Sequence, residues 1–263
     1  MNDPEELSPC SIGIKDQNPV FLLWGDSHAG SLYSSINMAA SNANVTGRYS
    51  WIATCPPLLG IDRETNRKGD CSEYNQLVLE YIAENPSIRT VFLHARWPFY
   101  SNGTHYKLEG GENVILVDME STSGKTLTNA DILEIGLLRT VDALYAIDRE
   151  VIIVGSIPEI GYDVISSYWM AVRTGRDINE LIAPTLEEYR GRNADIIVTF
   201  EKIRELNPSM LVIDPSVILC DQQICPVVHE DLPIYLDNNH LSTFGAHKIA
   251  EIFYYSIGDM PDS

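Results

Sequence analysis

A chain of 263 residues, 44% of them hydrophobic, can bury a full core without metals or cross-links and has an ordinary globular composition. Its 37 acidic and 18 basic residues give a net charge of -19, which excludes nucleic acid and anionic membrane surfaces as partners and reads most simply as solubility. No apolar run approaches the roughly 20 residues of a membrane span, and the start, MNDPEELSPC, lacks the basic and apolar parts of a signal peptide.

Residues 1–18 are expected to form an N-terminal extension. The first strand is predicted at Val20 to Gly25 (VFLLWG), followed by a helix from about Ala29 to Ser41. Further strands are predicted at Ser50 to Ala53, Thr90 to Ala95, Glu150 to Gly155 and Met210 to Asp214. Each run is continuous rather than alternating, as in strands covered on both faces. Helical patterns lie between them, at about Glu73 to Glu84, Ala130 to Ile147 and Leu186 to Leu206. A last helix is expected from Ser242, a suitable N-cap, to Tyr255. Strands alternating with helices predict an α/β fold with a doubly wound parallel sheet, in one domain over 1–263. Two stretches break the rhythm. Pro98 to Thr128, with its strand-like NVILVD, predicts a hairpin or excursion, and Gly155 to Pro184 a long wall or lid.

The first strand runs into Gly25-Asp26-Ser27-His28-Ala29-Gly30 and then a helix. A serine on such a turn lies at the carboxyl edge of the sheet, where its N–H can meet a developing oxyanion while its hydroxyl attacks. Asp26 and Ser27 as simple helix caps are the other reading of this turn. Near the other end stands Asp237-Asn238-Asn239-His240-Leu241-Ser242. An aspartate three residues before a histidine can take the imidazole Nδ1–H and leave Nε2 to accept a serine proton. Asp26 is expected to order the first turn through backbone N–H groups, and His28 to pack or hydrogen-bond locally. His94, His105, His229 and His247 show no ligand spacing, and no metal site is expected. Trp51, Trp97, Trp169 and Tyr100 suit either sugar stacking or the core. Cys220 and Cys225 bracket CDQQIC, which is too wide for a CxxC redox motif and leaves a local disulfide or two thiols.

GDSHA near the start with DxxHLS near the end resembles the SGNH, or GDSL-like, hydrolase superfamily. The finer similarity is to the SGNH domain fused to acyltransferase-3-type membrane O-acyltransferases of bacteria. FLLWGDSHAGSL, CPPLLGID, CSEYN, LHARW, VGSIPEIG, LCDQQICP and LDNNHLSTFGAHKIA carry it, from about Cys10 to Ala250. The resemblance implies a three-layer, five-stranded, flavodoxin-like sheet of order 2-1-3-4-5. It implies Ser27 as nucleophile, His240 as general base and acid, and Asp237 as its orienting partner. Where SGNH hydrolases carry a GxND block, this chain reads His94-Ala95-Arg96-Trp97. Arg96, Trp97, Asp26 and His28 are therefore expected to line the oxyanion or substrate site, with an ion pair the other reading of Arg96. Cys220–Cys225 is expected to be bonded, with a second bridge among Cys10, Cys55 and Cys71. The implied function is O-acyl transfer, with acetyl as the acyl group, to a sugar of a bacterial cell-surface polysaccharide through an acyl-serine. A carbohydrate acetyl esterase and a non-catalytic glycan-binding module are the alternatives. A fused transmembrane domain would deliver the acetyl group, so the chain reads as an excised C-terminal periplasmic domain of an inner-membrane protein. The implied chemistry needs no cofactor.

Overall fold

The computed structural model describes residues 9–15, 17–64, 70–122 and 126–258. Residues 1–8 of the expected extension lie outside them. The centre is a mixed α/β sheet. Five parallel strands, Thr46–Trp51, Phe21–Gly25, Thr90–His94, Glu150–Val154 and Leu211–Ile213, stand side by side in the expected order 2-1-3-4-5. The sheet has six strands, not five. Cys10–Gly13, placed by the sequence in the extension, pairs antiparallel with Thr46–Trp51 along the outer edge, from Cys10 opposite Tyr49 to Gly13 opposite Thr46. Four residues reading CSIG carry no apolar run, so only the pairing itself reveals this strand.

Two cores explain the continuous apolar strands. Phe21, Leu23, Phe92, Ile152 and Val154 pack on one face beneath the helices Tyr33–Asn42 and Glu251–Gly258. Their chain neighbours Leu22, Trp24, Val91, Leu93, Val151 and Ile153 face the opposite way. They meet the helices Asp70–Glu84, Asn129–Ala146 and Ala194–Leu206. Successive side chains of a strand point to opposite faces, so both parities must be apolar when both faces are covered.

Several boundaries move for local reasons. The second parallel strand begins at Thr46 rather than Ser50, because TGRYS pairs along the first strand without being apolar. The pattern over Leu186 to Leu206 is two helices, Leu186–Arg192 and Ala194–Leu206, meeting at the buried Asn193. The last pattern is likewise Thr243–Lys248 and Glu251–Gly258, with the Ser242 side chain capping the first of these through the Gly245 N–H. Within the excursion, Leu116–Asp118 pairs antiparallel with Ile61–Arg63, while residues 123–125 lie outside the described chain. The long connection after Gly155 holds two helices, Val164–Thr174 and Ile178–Ile182, each opened by an aspartate cap at Asp163 and Asp177.

Cys55 is bonded to Cys71 and Cys220 to Cys225, leaving Cys10 free and exposed. Among the described residues no helix is long and apolar enough to cross a membrane.

Candidate active site

In a doubly wound sheet, ligands meet the carboxyl ends of strands where the strand order reverses. The first parallel strand sits at that reversal, flanked by Thr46–Trp51 and Thr90–His94. It ends at Gly25, where a Cβ would stand only 1.7 Å from the His94 carbonyl oxygen, so the two strand ends close together only over a glycine. Asp26 then caps the helix Ser27–Ser31, its Oδ1 accepting the His28 N–H at 2.8 Å. Asp26 is thus the cap, and Ser27 is left free for other use. As the first helical residue, Ser27 has an N–H with no intrahelical acceptor.

Its Oγ lies 2.8 Å from His240 Nε2. His240 Nδ1 lies 2.8 Å from Asp237 Oδ2, while the other oxygen, Oδ1, accepts the His240 N–H at 2.8 Å and the Asn239 N–H at 2.9 Å. Half-burial pushes the Asp237 carboxyl up, but these bonds from His240 and Asn239 outweigh it and hold the group at about 2. An ionised Asp237 fixes the tautomer in which Nδ1 carries the proton and Nε2 accepts from Ser27. The aspartate and histidine sit on a tight loop closed by Leu236 N–H to His240 O at 2.9 Å. The SIPEIG segment holds this loop from the side, with Ile160 N–H donating to Asn238 O at 2.9 Å. Residues 213 apart in sequence meet because both chain ends reach the same sheet edge.

The four residues expected to line the oxyanion or substrate site are all buried. Trp97 is fully buried in the second core, and its indole N–H donates to Val154 O at 2.8 Å. Asp26, 1% exposed, accepts the Arg96 N–H at 3.1 Å and the Tyr100 hydroxyl at 2.7 Å. Burial nevertheless raises its carboxyl above the ordinary value. His28 is buried and donates from Nε2 to Asn239 Oδ1 at 3.0 Å, its ring 4.6 Å from that of His240. Burial lowers it far below the usual imidazole range, and the proximity of His240, Arg96 and His94 works in the same direction. Arg96 makes the ion pairs of the other reading: Nε donates to Glu159 Oε1 at 2.6 Å and Nη1 to Glu109 Oε1 at 2.9 Å. An apolar enclosure makes these groups costly unless paired, so they were drawn inward by partners the local sequence does not show.

Those partners form a chain behind the DNNH loop. Arg192 donates to Glu159 Oε2 at 2.6 Å, Arg96 bridges Glu159 and Glu109, and Asn239 Nδ2 donates to Glu109 Oε1 at 3.0 Å. Asn239 closes it onto His28 beside His240. None of Glu109, Glu159, Arg192 and Asn239 was singled out from the sequence. Glu159 did carry a signal, an acid between Pro158 and Ile160 in an apolar stretch, and Asn239 lies inside the DNNH motif. Glu109 and Arg192 carry none. Among the described residues no group of three or more His, Cys, Asp or Glu is placed to hold a metal ion.

The family described as SGNH domain (fused to AT3 domains) matches residues 2–254. Among solved structures, the chain is similar to the periplasmic domain of a Salmonella ser. Paratyphi A lipopolysaccharide acetyltransferase. The two share 15% identity and a TM-score of 0.64, covering 92% of this chain and 85% of that one. A GDSL-like lipase from Bacteroides thetaiotaomicron is 13% identical, with a TM-score of 0.48 over 90% of this chain and 86% of that one. A comparison with curated proteins found no match. At such identities the acetyltransferase domain shares the fold, whereas the family match spans nearly the whole sequence. The chain belongs to the family of SGNH domains fused to AT3 domains.

Proposed function

We propose that this chain transfers an O-acyl group, acetyl being the one expected, to a sugar hydroxyl of a bacterial cell-surface polysaccharide through an acyl-Ser27 intermediate. The observation that carries the reading is the hydrogen-bonded line Ser27 Oγ, His240 Nε2, His240 Nδ1, Asp237 Oδ2, with 2.8 Å at each end. In the first half-reaction Ser27 Oγ attacks the acyl carbonyl carbon and its proton passes to His240 Nε2. The imidazolium that forms is stabilised by the ionised Asp237. The carbonyl oxygen gains negative charge beside the Ser27 N–H, the oxyanion donor this reading names. His240 returns the proton to the departing alcohol oxygen, leaving the acyl ester on Ser27. A sugar hydroxyl then attacks that ester, giving its proton to His240, and Ser27 leaves with it. No step draws on a cofactor.

The fusion named in the family description supports a donor supplied by an attached AT3 domain, and the similar Salmonella domain supports a periplasmic setting. The bonds Cys55–Cys71 and Cys220–Cys225 fit an oxidising compartment too. Intact-protein mass spectrometry after mixing with 4-nitrophenyl acetate tests the nucleophile. An acetyl adduct with nitrophenol release is expected from the wild type and from Ser27→Ala neither. Equal, slow hydrolysis by both proteins without adduct would overturn the reading. Adding oligosaccharide then separates transfer from hydrolysis, since a transferase loses its adduct faster when an acceptor is present.

A further inference from the structure

Of the four aromatic residues that suit either sugar or core, Trp97 and Tyr100 are buried. Trp51 is not, and its position beside the nucleophile is specific. It ends its strand as the register partner of Gly25, two residues before Ser27. A Cβ on Gly30 would fall 2.9 to 3.2 Å from Trp51 Cε2, Cδ2 and Nε1, so the indole lies against the helix where a side chain would otherwise stand. Ser27 and Gly30 are three residues apart on that helix and share a face, which puts their Cβ positions about 5–6 Å apart. The indole therefore borders the ground immediately beside Ser27 Oγ.

Two features distinguish this ring from a core tryptophan. It is 42% exposed despite resting on Gly30, so part of the ring is open to solvent. Its N–H also has no partner among the described residues, whereas the buried Trp24 and Trp97 donate to Asn75 Oδ1 and Val154 O. The ring is held on a rigid mount. The chain beyond it is tied by the Cys55–Cys71 bond, and Asn75 Nδ2 donates to the carbonyls of Pro56 and Leu58 at 2.9 and 3.1 Å. A fixed, half-open indole with a free N–H offers an apolar plane and one donor. A pyranose presents the complement, an apolar C–H face rimmed by hydroxyls.

We propose that Trp51 is the platform on which the pyranose ring of the acceptor sugar stacks, with a sugar oxygen taking the indole N–H, so that a neighbouring hydroxyl faces the acyl group on Ser27. The proposal rests on the acyl-transfer reading for its role in turnover, but not for the binding event. Its experiment therefore reads the two separately. The indole 15N–1H signals of the intact chain are followed while methyl glycosides of glucose, galactose and mannose and an N-acetylglucosamine trisaccharide are titrated in. Trp51→Phe assigns the signal. A saturable shift of the Trp51 signal with at least one sugar is expected, with Trp24 and Trp97 unmoved. In single-turnover runs with preformed acetyl-enzyme, Trp51→Ala should lower sugar-accelerated deacylation relative to the acylation rate by about tenfold, Trp51→Phe recovering most of it. No shift of Trp51 with any of the sugars, or a shift of the exposed Trp169 in its place, would overturn the platform. Equal loss of acylation and sugar-dependent deacylation in Trp51→Ala would overturn its role toward the acceptor. A wild type that binds sugar yet forms no acetyl-enzyme would instead remove the acyl-transfer reading and leave the binding site standing.

Discussion

Asp237 does two jobs with two oxygens. Oδ2 takes the His240 Nδ1–H, while Oδ1 gathers the backbone N–H groups of Asn239 and His240 and so shapes the loop that carries the histidine. Asp237→Asn keeps an oxygen for the backbone but presents an amide N–H to Nδ1, which then has to accept. The proton moves to Nε2, and the histidine can no longer take one from Ser27. A fall of about 10⁴-fold in kcat for ester turnover is expected, by analogy with the Ser-His-Asp template. Stopped-flow nitrophenol release checks it, and a variant within tenfold of wild type would remove Asp237 from the proposed mechanism. Because the wild-type carboxyl is held at about 2, acid inactivation above pH 4 should not arise from Asp237.

Between elements, the buried ionic chain joins the turn after Thr90–His94, the Glu109 loop, the SIPEIG segment and the end of Leu186–Arg192 to the DNNH loop. Arg96 is its hub, since among the described residues it alone pairs with both Glu109 and Glu159. Removing a hub cation strands carboxylates in a low-dielectric interior, although Glu159 keeps Arg192 and Glu109 keeps His105 and Asn239. Arg96→Met should therefore cost about 3–5 kcal/mol of stability. Urea unfolding followed by circular dichroism measures this, and a loss below about 1 kcal/mol would show that Arg96 is not the hub. Arg96 was legible in the HARW motif, but its role was not. Its two carboxylate partners stand 13 and 63 residues further along the chain, and no local pattern announces pairings at such separations.

At the scale of the whole molecule, acid should weaken the fold through histidines buried in neutral form. Burial lowers His94 to about 4, although its Nδ1 bond to Val154 O works in the opposite direction, and its Nε2 has no partner among the described residues. The unfolded chain binds this proton near 6.5 and the folded chain only near 4. The stability is thus complete above pH 6.5 and lost as pH falls towards 4. A difference of this size amounts to a loss on the order of 3 kcal/mol. His28 shifts in the same direction, while Asp26, raised by burial, has the opposite sign above its ordinary 3.8. The prediction is therefore stated as a comparison. Between pH 7.5 and 4.5 wild type should lose more stability than His94→Asn, as read from urea midpoints at each pH. Parallel losses would assign the acid sensitivity elsewhere.

The sequence by itself determined the α/β alternation, the order of the parallel strands through its resemblance, and the identity of Ser27, Asp237 and His240 as the residues to watch. These are local matters: apolar runs report strands covered on both faces, and a GDS turn or a DxxH loop places its side chains within a few residues. Only the tertiary structure decided that Cys10–Gly13 joins the sheet, that Arg96 and Trp97 turn inward, and that Trp51 stays half open. An edge strand is defined by the neighbour it pairs with, and a buried charge by a partner that can stand anywhere in the chain. An exposed ring is defined by what fails to cover it. Each depends on contacts between distant segments, which residue type and spacing do not encode locally.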